Sequence, residues 1–399
     1  MTFFKKIFNS LRFWQILSLI LLLMIASSVA LYIYSRPSDD TFVIEDDFGG
    51  NLFPSAIVST ASTGTQVYIP SSRNYIGNAQ SELAFRIRAP YNLCKIHVEV
   101  SSTPFFQKSV SDFVLPKKDV EYMVFPDILW NYEALKNNSQ SVPVSVSISV
   151  SIGREDAVQK VKTYSVRSIN ECLIGYKDAQ MNFYDTGIYF AAYVNEEHPM
   201  IDQLLREALN TRIVRRFVGL QNGESQVDKQ IYALWFMLQK RNFTYSSVSN
   251  SILSSNVVFS QRVRTLDDAL ESSQINCVDG SVLFASLMRA INIEPVLIRI
   301  PGHMFVGYYS DKKKENLNFL ETTMLGDVNL DDFFPEENLD SLSEGKSQTE
   351  MSRLTYNKAK EYATKKYKEF EDQIKGKGPN TLFLPISKET RAKIQSIGR

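Results

Sequence analysis

Residues 276–309, NCVDGSVLFASLMRAINIEPVLIRIPGHMFVGYY, with LNFLETT at 317–323, decide the reading of this chain. Asn276 suits a helix N-cap and Asp279 the third helical position, a short-armed capping box. Cys277 then falls in the first turn, where free backbone N–H groups and the positive end of the helix dipole favour a thiolate. The following residues, Val282, Leu283, Phe284, Leu287, Met288 and Ile291, are apolar nearly all round. A helix of that kind is buried, so its start is held rigidly.

Three strands are expected next. EPVLIRI leads into Pro301-Gly302, a tight-turn pair, and His303 opens HMFVGYY. LNFLETT returns after the polar loop SDKKKEN. A hairpin centred in that loop sets His303 directly opposite Glu321, with Cβ atoms about 4.5–5.5 Å apart. A slip of one residue would send one of them to the other face. Asp327 lies beyond Gly326 and is the poorer orienting carboxylate.

A thiol, an imidazole and a carboxylate in this order fit nucleophilic catalysis. Cys277 is the nucleophile, His303 the base and later the acid, and Glu321 the group that fixes the imidazole. Backbone N–H groups at the helix start, that of Cys277 included, are the expected oxyanion donors, with Gln274 and Asn276 as weaker side-chain candidates.

RTLDDAL at 264–270 and the 276–323 segment together resemble the transglutaminase-like superfamily, a branch of the papain-like α+β thiol enzymes. The family's Cys on a helix start matches Cys277, its strand His matches His303, and its acid matches Glu321. The usual Asp-Pro-Thr stands here as Glu321-Thr322-Thr323, one methylene longer in the orienting arm. TLFLPISKETRAKIQSIG at 381–398 and VNEEHP at 194–199 are similar to bacterial membrane-anchored members, so the resemblance covers roughly residues 190–399. It implies a cysteine protease or amidase, or a transglutaminase-type acyltransferase, acting on amide bonds of protein or peptide substrates without a cofactor. Hydrolysis is favoured over transamidation. The alternative is a catalytically idle fold serving as an envelope binding or scaffold protein.

Outward from this segment, the chain divides. Residues 14–34, WQILSLILLLMIASSVALYIY, carry no charge, and 21 helical residues would span roughly 31 Å. Lys5, Lys6 and Arg12 precede the run and Asp39, Asp40, Glu45, Asp46 and Asp47 follow it. The pattern predicts a transmembrane anchor within residues 1–35, N-terminus cytoplasmic, and a single-pass inner-membrane protein with its bulk periplasmic or extracellular. Ser28-Val29-Ala30 offers a signal-peptide cleavage site, but the apolar run continues past it. Residues 36–50 read as a linker and 51–170 as a β-sandwich-like domain of short alternating strands, clearest at Val142–Val150. Residues 180–399 form the α+β thiol-enzyme domain, with a charged amphipathic helix over 349–375.

Lys+Arg and Asp+Glu number 44 each, so no basic excess points to nucleic acid. The 3 Cys and 3 His supply no metal-ligand cluster. His97 and His198 read as a strand residue and a pre-helix residue. Cys94 and Cys172 are candidates for a disulfide in an oxidising compartment, which would leave Cys277 as the free thiol. The β-rich part matches no motif and suits a protein-binding module.

Overall fold

The computed structural model describes residues 11–35, 41–246, 253, 255–326, 329–336 and 345–398. It is a mixed α+β structure of sheets and helices. Val142–Ile152 turns Val144, Val146, Ile148 and Val150 inward and its serines outward, the period-two outcome of a half-buried strand. That strand belongs to a five-stranded sheet in the order Asn51–Leu52, Val158–Val166, Val142–Ile152, Cys94–Val100, Ser109–Leu115. A four-stranded sheet lies against it, in the order Phe42–Glu45, Ala84–Arg88, Glu121–Phe125, Tyr75–Gly77. Tyr164 of the larger sheet donates its hydroxyl to the Glu45 carbonyl of the smaller at 3.4 Å.

No break in the core separates this part from the rest. Strand Glu171–Lys177 pairs on one side with Phe183–Asp185 and on the other with Val258–Arg262. One apolar cluster runs from Phe42 to Ile397. Residues on both sides of the expected boundary near 170–180 therefore share a core.

The C-terminal part is built on a four-stranded antiparallel sheet, ordered Leu317–Leu320, His303–Tyr309, Pro295–Ile300, Leu382–Pro385. Helix Cys277–Ala290 covers one face. The other face packs Val296, Ile298, Phe305 and Phe319 against Ala363 and Ile374 of helix Gln348–Lys375. Ile300 pairs with His303 across the two-residue turn Pro301-Gly302, where Gly302 takes φ +74°. Pro then Gly at the two central positions is the type II solution to that turn.

The N-terminal expectation is corrected. The first helix spans Leu11–Ser35, and its side chains are described over 14–29, where nearly all are exposed. Among the described residues no helix is long and apolar enough to cross a membrane. The transmembrane anchor does not stand, and the inner-membrane placement and the export of the remaining chain rested on it. Lys5, Lys6, Asp39 and Asp40 lie outside the described residues.

The disulfide expectation is corrected too. Cys94 and Cys172 are separate buried thiols, one in the five-stranded sheet and the other in the three-stranded sheet.

Candidate active site

The helix that carries Cys277 begins as its sequence dictates. The Asn276 side-chain oxygen accepts from the N–H groups of Val278 and Asp279, both at 2.8 Å, and Asp279 accepts from the Asn276 N–H at 3.1 Å. Asp279 is also buried against Arg264, taking its backbone N–H at 2.8 Å and its guanidinium at 2.6 Å. Arg264 thus anchors the capping box to the loop before helix Leu266–Ser272. With Val278 and Asp279 capped, the Cys277 N–H is left without a partner among the described residues. Cys277 itself is half-buried.

One turn further along, Gly280 permits a close approach. A Cβ at this position would stand 2.6 Å from the Thr322 hydroxyl and 2.8 Å from its Cβ. The helix start is thereby seated directly on the turn that follows strand Leu317–Leu320, and that turn carries the acid.

His303 and Glu321 meet, by a different register from the expected one. The ladder pairs Val306 with Leu320 and Tyr309 with Leu317, two residues from the predicted alignment, and the strand ends at Leu320. Asp311 explains the altered loop: its carboxylate gathers the N–H groups of Lys313, Glu315 and Asn316 into a tight turn. A two-residue shift preserves the face of the sheet, so the side chains remain on one side. They are now diagonal rather than opposite, about 7–8 Å apart at the backbone. The additional methylene of glutamate covers that diagonal: Glu321 Oε2 lies 2.7 Å from His303 Nε2.

Glu321 is fully buried and its other oxygen accepts from the Thr323 N–H at 3.0 Å and the Thr323 hydroxyl at 2.8 Å. Glu321-Thr322-Thr323 is thus a self-contained holder, the acid capping the 3-10 turn Thr322–Met324. With Nε2 engaged by Glu321, the other ring nitrogen is left for Cys277, which lines the same cavity. Burial alone would depress the imidazole, but the hydrogen bonds and charges of Cys277 and Glu321 outweigh it and push His303 up to about 10. The ring is therefore held as an imidazolium at neutral pH.

The thiol and imidazole open into a cavity of about 370 Å³, lined also by Tyr245, Gln261, Arg299 and Asn380. Tyr245 arrives through a two-residue parallel pairing of Thr244–Tyr245 with Gln274–Ile275. Burial, then the charges of Cys277 and Glu321, raises its phenol, which stays protonated and can donate. Sequence reasoning missed Tyr245, because no local pattern ties it to a helix start more than thirty residues away.

Of the weaker expectations, Gln274 is exposed and does not line this cavity. Its backbone serves the short parallel pairing instead. Asn276 lines the cavity; the cap holds its side-chain oxygen and leaves its NH₂ group as the candidate donor. Asp327 lies outside the described residues. His97 is a surface strand residue on Asp112, at 2.7 Å. His198 caps helix Pro199–Asn210, its Nδ1 accepting from the Met200 N–H at 3.2 Å.

No protein-family model matches this sequence, and no curated protein matches it.

Proposed function

We propose that this chain is a thiol enzyme that cleaves or transfers amide bonds of protein or peptide substrates through a Cys277 thioester. The observation that carries the reading is the His303–Glu321 hydrogen bond, with His303 and Cys277 lining one cavity at a capped helix start. The helix-on-sheet arrangement around it agrees with the resemblance to transglutaminase-like thiol enzymes.

The steps follow from the positions of the groups. The Cys277 thiolate adds to the substrate carbonyl carbon, forming a C–S bond, and the carbonyl electron pair moves to oxygen. The unpartnered Cys277 N–H faces that oxyanion, and the Tyr245 phenol is a second donor in the cavity. The intermediate collapses with cleavage of the C–N bond, and His303 gives its proton to the departing amine. Water, or an amine in transfer, then loses a proton to His303 and attacks the thioester. The C–S bond breaks and the thiolate is restored beside the imidazolium. Glu321 moves no proton; it holds the tautomer and the charge.

The test is alkylation by iodoacetamide near pH 6. Cys277 should be modified selectively, and at least tenfold more slowly in His303→Ala. Labelling that is slow, or indifferent to His303, would remove the reading and favour a binding role.

A further inference from the structure

A second and larger cavity, about 760 Å³, adjoins the first. Asn380 lines both, and the wall between them is the ion pair of Arg299, from the smaller cavity, with Asp185, from the larger, at 2.8 Å.

Two sheet edges meet at this larger cavity. Strand Leu382–Pro385 is the last of its sheet, and Phe183–Asp185 is the last of the three-stranded sheet. Each pairs on one side only. In the Phe183–Asp185 strand, Tyr184 faces Tyr176, flanked by inward bonds from the Thr186 N–H to the Ile174 carbonyl and from the Asp178 N–H to the Asn182 carbonyl. The N–H and C=O groups of Phe183 and Asp185 therefore point outward. Likewise the Ile386 N–H bonds inward to Pro295, so Leu384 and Leu382 face the ladder and Phe383 faces out. Pro385 also occupies an outward position, which suits a residue with no N–H. Among the described residues these outward groups of Phe183, Asp185 and Phe383 have no hydrogen-bond partner. The edges converge near the catalytic cavity, where a Cβ on Gly187 would stand 3.2 Å from the Leu382 side chain.

We infer that this cavity binds an extended polypeptide segment, which takes backbone hydrogen bonds from the outward groups of Phe183, Asp185 and Phe383. The segment seats a bulky apolar side chain against Tyr367, Ile374 and Leu382 and leads past Asn380 toward Cys277. This deepens the amidase reading and rests on it: the substrate is an unfolded or flexible stretch of chain rather than a small amide. A compact ligand would fill the apolar floor but leave the unpaired sheet edges unused, whereas added-strand pairing uses both.

The test selects a displayed random heptapeptide library on the full chain carrying Cys277→Ala. Peptides rich in a bulky apolar residue should be enriched. For a selected peptide, at least one of the two versions N-methylated at alternate positions should bind tenfold or more weakly. Phe383→Pro, which removes the outward N–H together with the ring, should weaken the parent peptide at least tenfold more than Phe383→Ala, which removes the ring alone. No enrichment overturns the inference, as does equal binding of the parent and both N-methylated peptides to the unsubstituted edge. The N-methyl comparison stands even where Phe383→Pro fails to fold. Selective iodoacetamide labelling without peptide enrichment refutes the groove alone; enrichment without labelling refutes the enzyme alone.

Discussion

Replacing Glu321 by Gln should change the charge state of His303 more than the stability of the fold. The Thr323 N–H and hydroxyl both donate to one carboxylate oxygen, so the amide oxygen of Gln must take that place. Its NH₂ group then points at His303 Nε2, which can no longer donate. A charge-assisted hydrogen bond of this kind contributes about 2–3 kcal/mol. The imidazole, pushed up to about 10 in the native chain, should fall to roughly 8. The sign is fixed by linkage. A raised folded value gives stability that is complete below about 6.5 and lost as the pH climbs through about 10, so the variant loses it earlier on that climb. Carbon-labelled histidine NMR reads this directly, because the chain has only 3 His and substitution of His97 and His198 assigns the rest. A native His303 titrating near its ordinary value, or a Gln variant titrating with the native protein, would refute the reasoning.

Gly280→Ala drives a methyl into Thr322 and should cost about 1–3 kcal/mol in thermal unfolding, with slower alkylation of Cys277 as the helix start lifts from the turn. Asp279→Ala strands the Arg264 guanidinium and removes half the capping box; a loss of about 3–5 kcal/mol is expected by denaturant titration. Tyr245→Phe should leave iodoacetamide labelling unchanged yet slow acylation by an activated ester about tenfold or more, if its phenol serves the oxyanion. Burial pushes the thiols of Cys94 and Cys172 up, so a disulfide-exchange reagent should titrate one thiol quickly in the native chain and all 3 after denaturation.

The local parts of this site were legible because local chemistry determines them. Asn276 and Asp279 announce a helix start within four residues, and the apolar run behind them requires burial. Pro301-Gly302 specifies its turn without reference to anything distant. The register of the next hairpin was read two residues off, since loop polarity locates a loop but not its internal Asp311 bonds. The face survived because side chains alternate with period two. What sequence could not reveal was long-range: Tyr245 and the Arg264 anchor reach the site through tertiary pairing. The continuous core across 170–180 arises likewise, from Glu171–Lys177 pairing with a strand more than eighty residues later. At the N-terminus, hydropathy alone suggested a span that the described helix does not provide.

The most direct measurement of covalent catalysis here needs no natural substrate. Exposed briefly to p-nitrophenyl acetate at neutral pH and quenched in acid, the native chain should carry a single acetyl group. Peptide mapping should place it on Cys277, and both His303→Ala and Cys277→Ala should abolish it. An unmodified native chain, or acetyl groups scattered over lysines and indifferent to His303, would contradict the claim that this sulfur forms an acyl-enzyme.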